Sequence, residues 1–481
     1  MKFIGRNHDL ATLRGLLSKR SASLVVVKGR RRIGKSRLIK EFAKDFTFVD
    51  FSGAPPSDKS TEQTQRDDFA HQLEKKFKLP RLKSDDWGDL FTALAQQTAQ
   101  GRVVILLDEI SWMGGLDPAF LGKLKNAWDM EFSNNPNLIL FLCGSVSSWI
   151  EKNIINSTGF VGRPSLYLTL EELTLSDCNQ FWGPLGEGIS AYEKLKLLSV
   201  IGGIPRYLEL MNPQESAEEN IKKLCFTRNS PLKDEFDHIF TDIFSNRSAL
   251  YKNILFFLSK GRANQNEIAD AVGLPRTGDL SDYLNDLMLG GFISRDYTWS
   301  IKTGHISKLS SYRLKDCYSR FYLKYILAKK PLIDKDTFAL RGLSSLPGWD
   351  GMMGLQFENL VLNNHKRVLQ LLEISPEDVV FENPFFQTKT TRHRGCQIDY
   401  LVQTRFDTVY PCEIKFSRTE VGLEVVEQVR QKIKNIALPR HVSYRPVLIH
   451  VNGVSEEVYD SGFFANIIDF SSFLQDHLPP L

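Results

Sequence analysis

One eight-residue stretch, GRRRIGKS at positions 29–36, constrains this chain more than any other. It fits the pattern G-x-x-x-x-G-K-[ST]. It follows the apolar run SLVVVKG (23–29) and opens the helix-like stretch KSRLIKEFAKDF (35–46). A glycine-rich loop between a buried strand and a helix N-terminus turns backbone N–H groups toward one point, where they can cradle phosphate oxygens. Gly29 and Gly34 let the backbone turn. Lys35 is expected to reach the β- and γ-phosphates, and the Ser36 hydroxyl to ligate Mg²⁺. Arg30, Arg31, Arg32, Ile33 and Arg37 count with the loop as nucleotide-binding positions. The expected ligand is ATP with Mg²⁺, and the expected reaction is its hydrolysis.

The surrounding sequence supplies the sheet such a loop needs. FTFVDFSG (46–53), RVVILLDE (102–109) and NLILFLCGS (137–145) read as further strands, with AFLGKLKNAWDMEF (119–132) helical between the last two. Buried strands alternating with helices argue for a parallel sheet in an α/β fold. Asp108 and Glu109 end a buried strand, at the sheet mouth where α/β proteins bind ligands. Asp108 is expected to hold the Mg²⁺ shell and Glu109 to polarise the attacking water. Ser145, ending the next strand, is expected to reach the γ-phosphate or that water.

At 481 residues, the chain is too long for one ordinary core. The expected division is a P-loop core at 1–172, a helical lid at 173–245, a winged helix at 246–311 and an α/β domain at 312–481. The third helix of the winged unit, GDLSDYLNDLM, carries Asp279, Asp282 and Asp286 with no Lys or Arg. Acids repel phosphate, so an interdomain or protein-binding role is expected there rather than base readout. Arg276, just ahead of it, is the one counter-signal. A net charge of +4 is too mild to announce nucleic acid by itself. No apolar run approaches the ~18 residues of a membrane span, and the six cysteines form no CxxC pair. A cytoplasmic protein with reduced thiols and no membrane contact is expected.

Taken in order, FIGR near the start, GRRRIGKS, VVILLDE, LCGSVSSWI, Gly162-Arg163 and GGIPRYLEL resemble the archaeal-type AAA+ ATPases, relatives of the STAND signalling ATPases. The resemblance covers about residues 1–245. It implies that Arg163 is an arginine finger or sensor, and that Gly203 and Pro205 in the lid lie near the adenine. An arginine finger acting in trans would imply a homo-oligomer.

A second chemical site is expected near the C-terminus. If QIDYLV (397–402) and TVYPCEIKF (408–416) form a hairpin centred near Phe406, Asp399 falls opposite Glu413. Opposed residues bring their Cβ atoms to ~5 Å, close enough to share a divalent cation. Lys415 shares the face of Glu413. Glu358 adds a third acid from a helix whose neighbouring positions are apolar. Pro411 suggests an edge strand or a bulge. Gln428, on the following helix, could contact phosphate or the catalytic face, although a surface position is the commoner fate of a glutamine, and Arg392, His393 and Arg394 could track a phosphate backbone. The set resembles the PD-(D/E)XK nucleases, which implies a restriction-endonuclease-like domain. Asp399, Glu413 and Lys415 would be catalytic, and Glu358, Asp399 and Glu413 would bind Mg²⁺ or Mn²⁺. The leading expectation is ATP-controlled, metal-dependent DNA cleavage. Its alternative is a STAND-like switch whose last domain binds a partner or nucleic acid without cutting.

Overall fold

The computed structural model describes residues 2–55, 60–145, 147–244, 248–275, 278–389 and 394–475. The chain divides into two compact units, Met1–Glu172 with Leu289–Gly291, and Leu173–Met288 with Phe292–Leu481.

The first unit is built on five strands: β1 (Ser23–Gly29), β2 (Thr47–Ser52), β3 (Val103–Asp108), β4 (Ile139–Gly144) and β5 (Pro164–Leu170). Their order is β2-β3-β4-β1-β5, and every pairing is parallel. Because crossover helices cover both faces of such a sheet, its strands read as continuous apolar runs, and β4 is buried at every residue. One face packs against an aromatic group in which Phe69, Trp87, Phe91 and Phe120 meet edge to face or stacked. The four strands expected from sequence are present. β5, whose residues before Leu170 are half-buried or exposed, gives no comparable apolar signal.

The second unit begins with helices, among them Ala191–Ile201, Pro205–Leu208, Ala217–Cys225 and Glu235–Phe244. Helices Ser248–Leu258, Gln265–Val272 and Gly278–Leu289 follow, and then the antiparallel pair β6 (Ile293–Ser300) and β7 (His305–Leu314). The last part contains helix Trp349–Asn363 and strands β8 (Val379–Gln387), β9 (Cys396–Thr404) and β10 (Thr408–Ile414). Helix Glu424–Asn435 and the short strands β11 (Ser443–Tyr444), β12 (Val447–His450) and β13 (Asn466–Asp469) complete it. The order is β13-β12-β10-β9-β8, with β11 also on β10. β8, β9 and β10 are antiparallel, whereas β10, β12 and β13 are parallel.

Pro411 is a correction to the sequence reading. It sits on β10, an interior strand, with no register break against β9, where it pairs with Leu401. The other neighbour is interrupted instead: β11 pairs with Thr408 and Val409, and β12 resumes at Cys412. The missing N–H of proline falls in that gap, so no ladder bond is lost.

The β6–β7 pair is not a free hairpin. Trp299 is buried in the core of the C-terminal sheet with Phe385, Ile398 and Leu401, and its indole N–H donates to Gln403 Oε1 at 2.6 Å. Asn383 Nδ2 donates to the Tyr297 carbonyl at 2.9 Å, and Gln403 Nε2 to that of Ile301 at 3.1 Å.

Candidate functional site

β1 ends at Gly29, and the chain turns through residues 30–34 into helix Lys35–Phe42. Gly34 caps that helix at φ 90°, a conformation that costs an L side chain energy. A Cβ at Gly29 would stand 2.6 Å from the Leu170 carbonyl oxygen, so no larger residue fits there. Arg32 also adopts positive φ, 70°. Lys35 is buried and donates to the carbonyls of Gly29 (3.0 Å) and Arg30 (3.2 Å), which aims its ammonium into the loop. Arg31 lies over the Trp112 ring at 6.0 Å, Ile33 is buried, and Arg37 is exposed on the first helical turn.

Asp108 and Ser36 meet at the strand ends: the Ser36 hydroxyl donates to Asp108 Oδ2 at 2.6 Å. A hydroxyl and a carboxylate beside a phosphate loop are the donor set Mg²⁺ takes in P-loop proteins, so these residues fit that ion. Glu109 follows at φ 51°. Its carboxylate accepts the Ser145 hydroxyl at 2.8 and 2.9 Å and the Ser145 N–H at 3.1 Å. Ser145, expected to face phosphate or water, holds Glu109 in place.

Arg6 is a residue whose part in the site the sequence reading missed. Its guanidinium donates to the carbonyls of Ile33 (3.1 Å) and Glu171 (2.6 Å), bracing the loop from behind. The FIGR stretch that contains it is a signal only as part of the ordered family pattern.

Arg163 stands away from the loop. In the parallel β1–β5 register Leu24 pairs with Pro164 and Gly29 with Leu170, so Arg163 stands at the edge of the sheet opposite the loop. The separation is a strand run of about 16 Å, given a rise of roughly 3.3 Å per residue. There Arg163 makes a bidentate pair with Asp129, Nε–Oδ1 2.8 Å and Nη2–Oδ2 2.7 Å. That guanidinium, against the cost of burial and with help from Lys125, lowers the Asp129 pKa to about 2. Arg163 is thus held by Asp129, remote from the loop of its own chain. Gly203 and Pro205 lie in the second unit, where the Gly203 carbonyl accepts the Leu173 N–H at 2.8 Å and Pro205 opens helix Pro205–Leu208.

The C-terminal residues meet only in part. β9 and β10 pair about Phe406, with Thr404 opposite Thr408 and Tyr400 opposite Cys412, so the next step brings Asp399 beside Glu413. Asp399 Oδ2 accepts the Ile414 N–H at 2.9 Å. Lys415 donates to Gln428 Oε1 at 3.1 Å. Glu413 is taken by Lys432, four residues beyond Gln428 on the same helix face, and Lys432 Nζ also lies 3.9 Å from Asp399 Oδ1. Glu358 is paired with Arg262, which comes from between helices Ser248–Leu258 and Gln265–Val272. Burial raises the pKa of both Glu413 and Glu358, and Asp399 adds to each shift, while Lys432 and Arg262 act in the other direction.

The expected three-carboxylate metal site is thus corrected. Among the described residues no group of three or more His, Cys, Asp and Glu side chains is arranged to hold a metal ion. The reason is that the protein supplies its own cations to Glu413 and Glu358. Asp279 and Asp282 are exposed, and Asp286 accepts the Tyr251 hydroxyl at 2.5 Å. Arg394 is exposed, whereas Arg276, Arg392 and His393 lie outside the described residues. Among the described residues no helix is long and apolar enough to cross a membrane.

Comparison with known proteins bears on the first unit most directly. Residues 3–211 match the family described as an ATPase domain predominantly from Archaea. The chain therefore carries an ATPase domain of the archaeal type. It is also similar to a protein of Methanocaldococcus jannaschii described as uncharacterized, with 24% identity over 406 residues, 83% of this chain and 84% of the relative. Among solved structures it is similar to a Walker-type ATPase of Pyrococcus abyssi, at 17% identity and a TM-score of 0.47, covering 67% of this chain and 96% of that one. A further similar structure is the ORC2 protein of Aeropyrum pernix in ADPNP and ADP complexes. Its identity is 13% and its TM-score 0.41, with 69% of this chain and 95% of that one covered.

Proposed function

We propose that this chain binds ATP with Mg²⁺, hydrolyses it at the loop of its archaeal-type ATPase domain, and uses the nucleotide to govern its second unit. The observation that carries the proposal is the convergence at one sheet edge of Lys35, the Ser36–Asp108 pair and the Glu109–Ser145 pair. Each has a separable part. Loop N–H groups and Lys35 bind and neutralise the phosphates. Ser36 and Asp108 would hold Mg²⁺, which supplies Lewis-acid charge when bound. Glu109 orients and polarises the attacking water, and Ser145 positions Glu109. Lys35→Ala should abolish ATP turnover and weaken nucleotide binding while the fold persists. Unchanged turnover in that variant would overturn the proposal.

For the second unit, DNA cleavage is supported by the adjacency of Asp399 and Glu413 and by the order helix, three antiparallel strands, helix, parallel strand. The carboxylates, already paired with cations of the same chain, do not fit a metal ion. The second unit acts instead as a switch whose nuclease-like domain binds a partner or nucleic acid without cutting. Its specific support is that Lys432 and Arg262 already hold Glu413 and Glu358. Supercoiled plasmid should stay intact with Mg²⁺ or Mn²⁺, with or without ATP. Nicking that Asp399→Asn abolishes would restore the nuclease reading.

A further inference from the structure

Asp399, Glu413 and Glu358 are three carboxylates in partly or fully buried positions, each costly to keep charged without a partner. The chain meets that cost with cations drawn from elements outside the β9–β10 hairpin. Lys432 reaches across from helix Glu424–Asn435 and touches Glu413, with Asp399 next in reach. Arg262 bridges Glu358 and Asp296, at 3.4 Å from the latter. Asp296 on β6 is held in turn by Arg313 Nε at 3.0 Å, and Arg313 Nη1 donates to Asn359 Oδ1 at 2.8 Å. Asn359 is the residue after Glu358. The network therefore leaves helix Trp349–Asn363 at Glu358, passes through Arg262 and the β6–β7 pair and returns one residue on. It pins Glu358 to that pair.

Resting on the switch reading above, we propose that Lys432 is a tethered counter-cation that excludes divalent ions from Asp399 and Glu413, and that Arg262 withdraws Glu358 from any shared site. The space argument is direct. A divalent ion bound by both carboxylates would need their oxygens at about 2.0–2.6 Å, and the Lys432 ammonium stands in contact with one of them and near the other. The charge argument agrees. A divalent ion entering beside the resident ammonium meets like-charge repulsion that solvent screens poorly at a buried site. One Asp399 oxygen is moreover already engaged by the Ile414 N–H. A tethered ammonium also needs no entropy of capture, so it competes at high effective concentration.

The test is calorimetric titration of Mn²⁺ into the nucleotide-free full chain. Wild type and Asp399→Asn should give the same isotherm, because wild type holds no Mn²⁺ on this pair. Lys432→Gln should bind Mn²⁺ about tenfold more tightly or better, and adding Asp399→Asn to Lys432→Gln should remove the gain. The proposal is overturned if Lys432→Gln gains nothing while circular dichroism shows it folded. It is equally overturned if wild type binds Mn²⁺ and Asp399→Asn loses it, an arm that decides the matter even where Lys432→Gln does not fold. Plasmid assays on the same samples separate the two readings. Asp399-dependent cleavage by wild type would overturn the switch reading as well, whereas a missing gain without cleavage overturns the counter-cation alone.

Discussion

Ser145 donates its hydroxyl to both oxygens of the Glu109 carboxylate, at 2.9 and 2.8 Å, and its backbone N–H to one of them at 3.1 Å. Glu109 itself has left-handed backbone, φ 51°, which non-glycine residues adopt only when their surroundings impose it. Two adjacent strand ends thus define where the carboxylate points. Ser145→Ala should lower kcat by about 10- to 100-fold with KM nearly unchanged, because the base is misplaced while phosphate binding is intact. Steady-state ATPase kinetics check this. A rise in KM alone would place Ser145 on the nucleotide instead.

Glu109→Gln keeps the size and the Ser145 contact but removes the charge. It should leave ATP bound and reduce hydrolysis by about 100-fold or more. Nucleotide titration beside turnover measurement separates the two effects. Loss of binding would make Glu109 part of the phosphate or metal shell.

The Asp129–Arg163 pair should contribute to stability but not to turnover in the monomer. The Asp129 pKa is lowered in the folded chain to about 2, so its contribution is fully present above the ordinary carboxylate range and is lost as pH falls toward 2. The melting-temperature difference between wild type and Asp129→Asn should be constant from pH 5 to 7 and shrink below about pH 4. A difference that grows as the solution is acidified would contradict the pairing. Arg163→Ala should leave monomeric ATPase activity unchanged, and a drop confined to concentrated protein would identify action in trans.

Trp299 stacks on Phe381 and meets Phe385 edge-on, both at 5.4 Å, while its N–H is satisfied by Gln403. Trp299→Ala should cost about 3–5 kcal/mol in urea unfolding, the range for deleting a buried aromatic. A loss below about 1 kcal/mol would show that the β6–β7 pair is not part of this core.

Asp282 is exposed on the acidic helix. Asp282→Lys should not weaken any DNA binding, and a titration at fixed salt checks it, since replacing an acid by a base near phosphate cannot be unfavourable electrostatically. A clear loss would mean that this helix reads DNA through its carboxylates.

Which parts of this protein were legible in the sequence follows from the range of the interactions involved. The loop at 29–36, four of the five strands of the first sheet, and the β9–β10 hairpin all declared themselves through local pattern. β5 did not, because an edge strand with few buried residues carries little periodic signal. Pro411 misled for a related reason. Proline reports that an N–H is missing, but where the neighbouring strand breaks is decided by a segment more than thirty residues away.

By itself the sequence determined that a phosphate loop, two strand-end acids and a paired Asp399 and Glu413 exist, because each depends on spacing within one element or across one tight turn. Only the tertiary structure decided what those groups face. The Glu109–Ser145 contact joins residues 36 apart, Glu413–Lys432 19 apart, and Glu358–Arg262 96 apart. The edge at which Arg163 stands is set by the β1–β5 register. A charge is visible in a sequence, but its counter-charge is chosen by packing. That choice is why three acids that read as a metal site are held instead by a lysine and an arginine of the same chain.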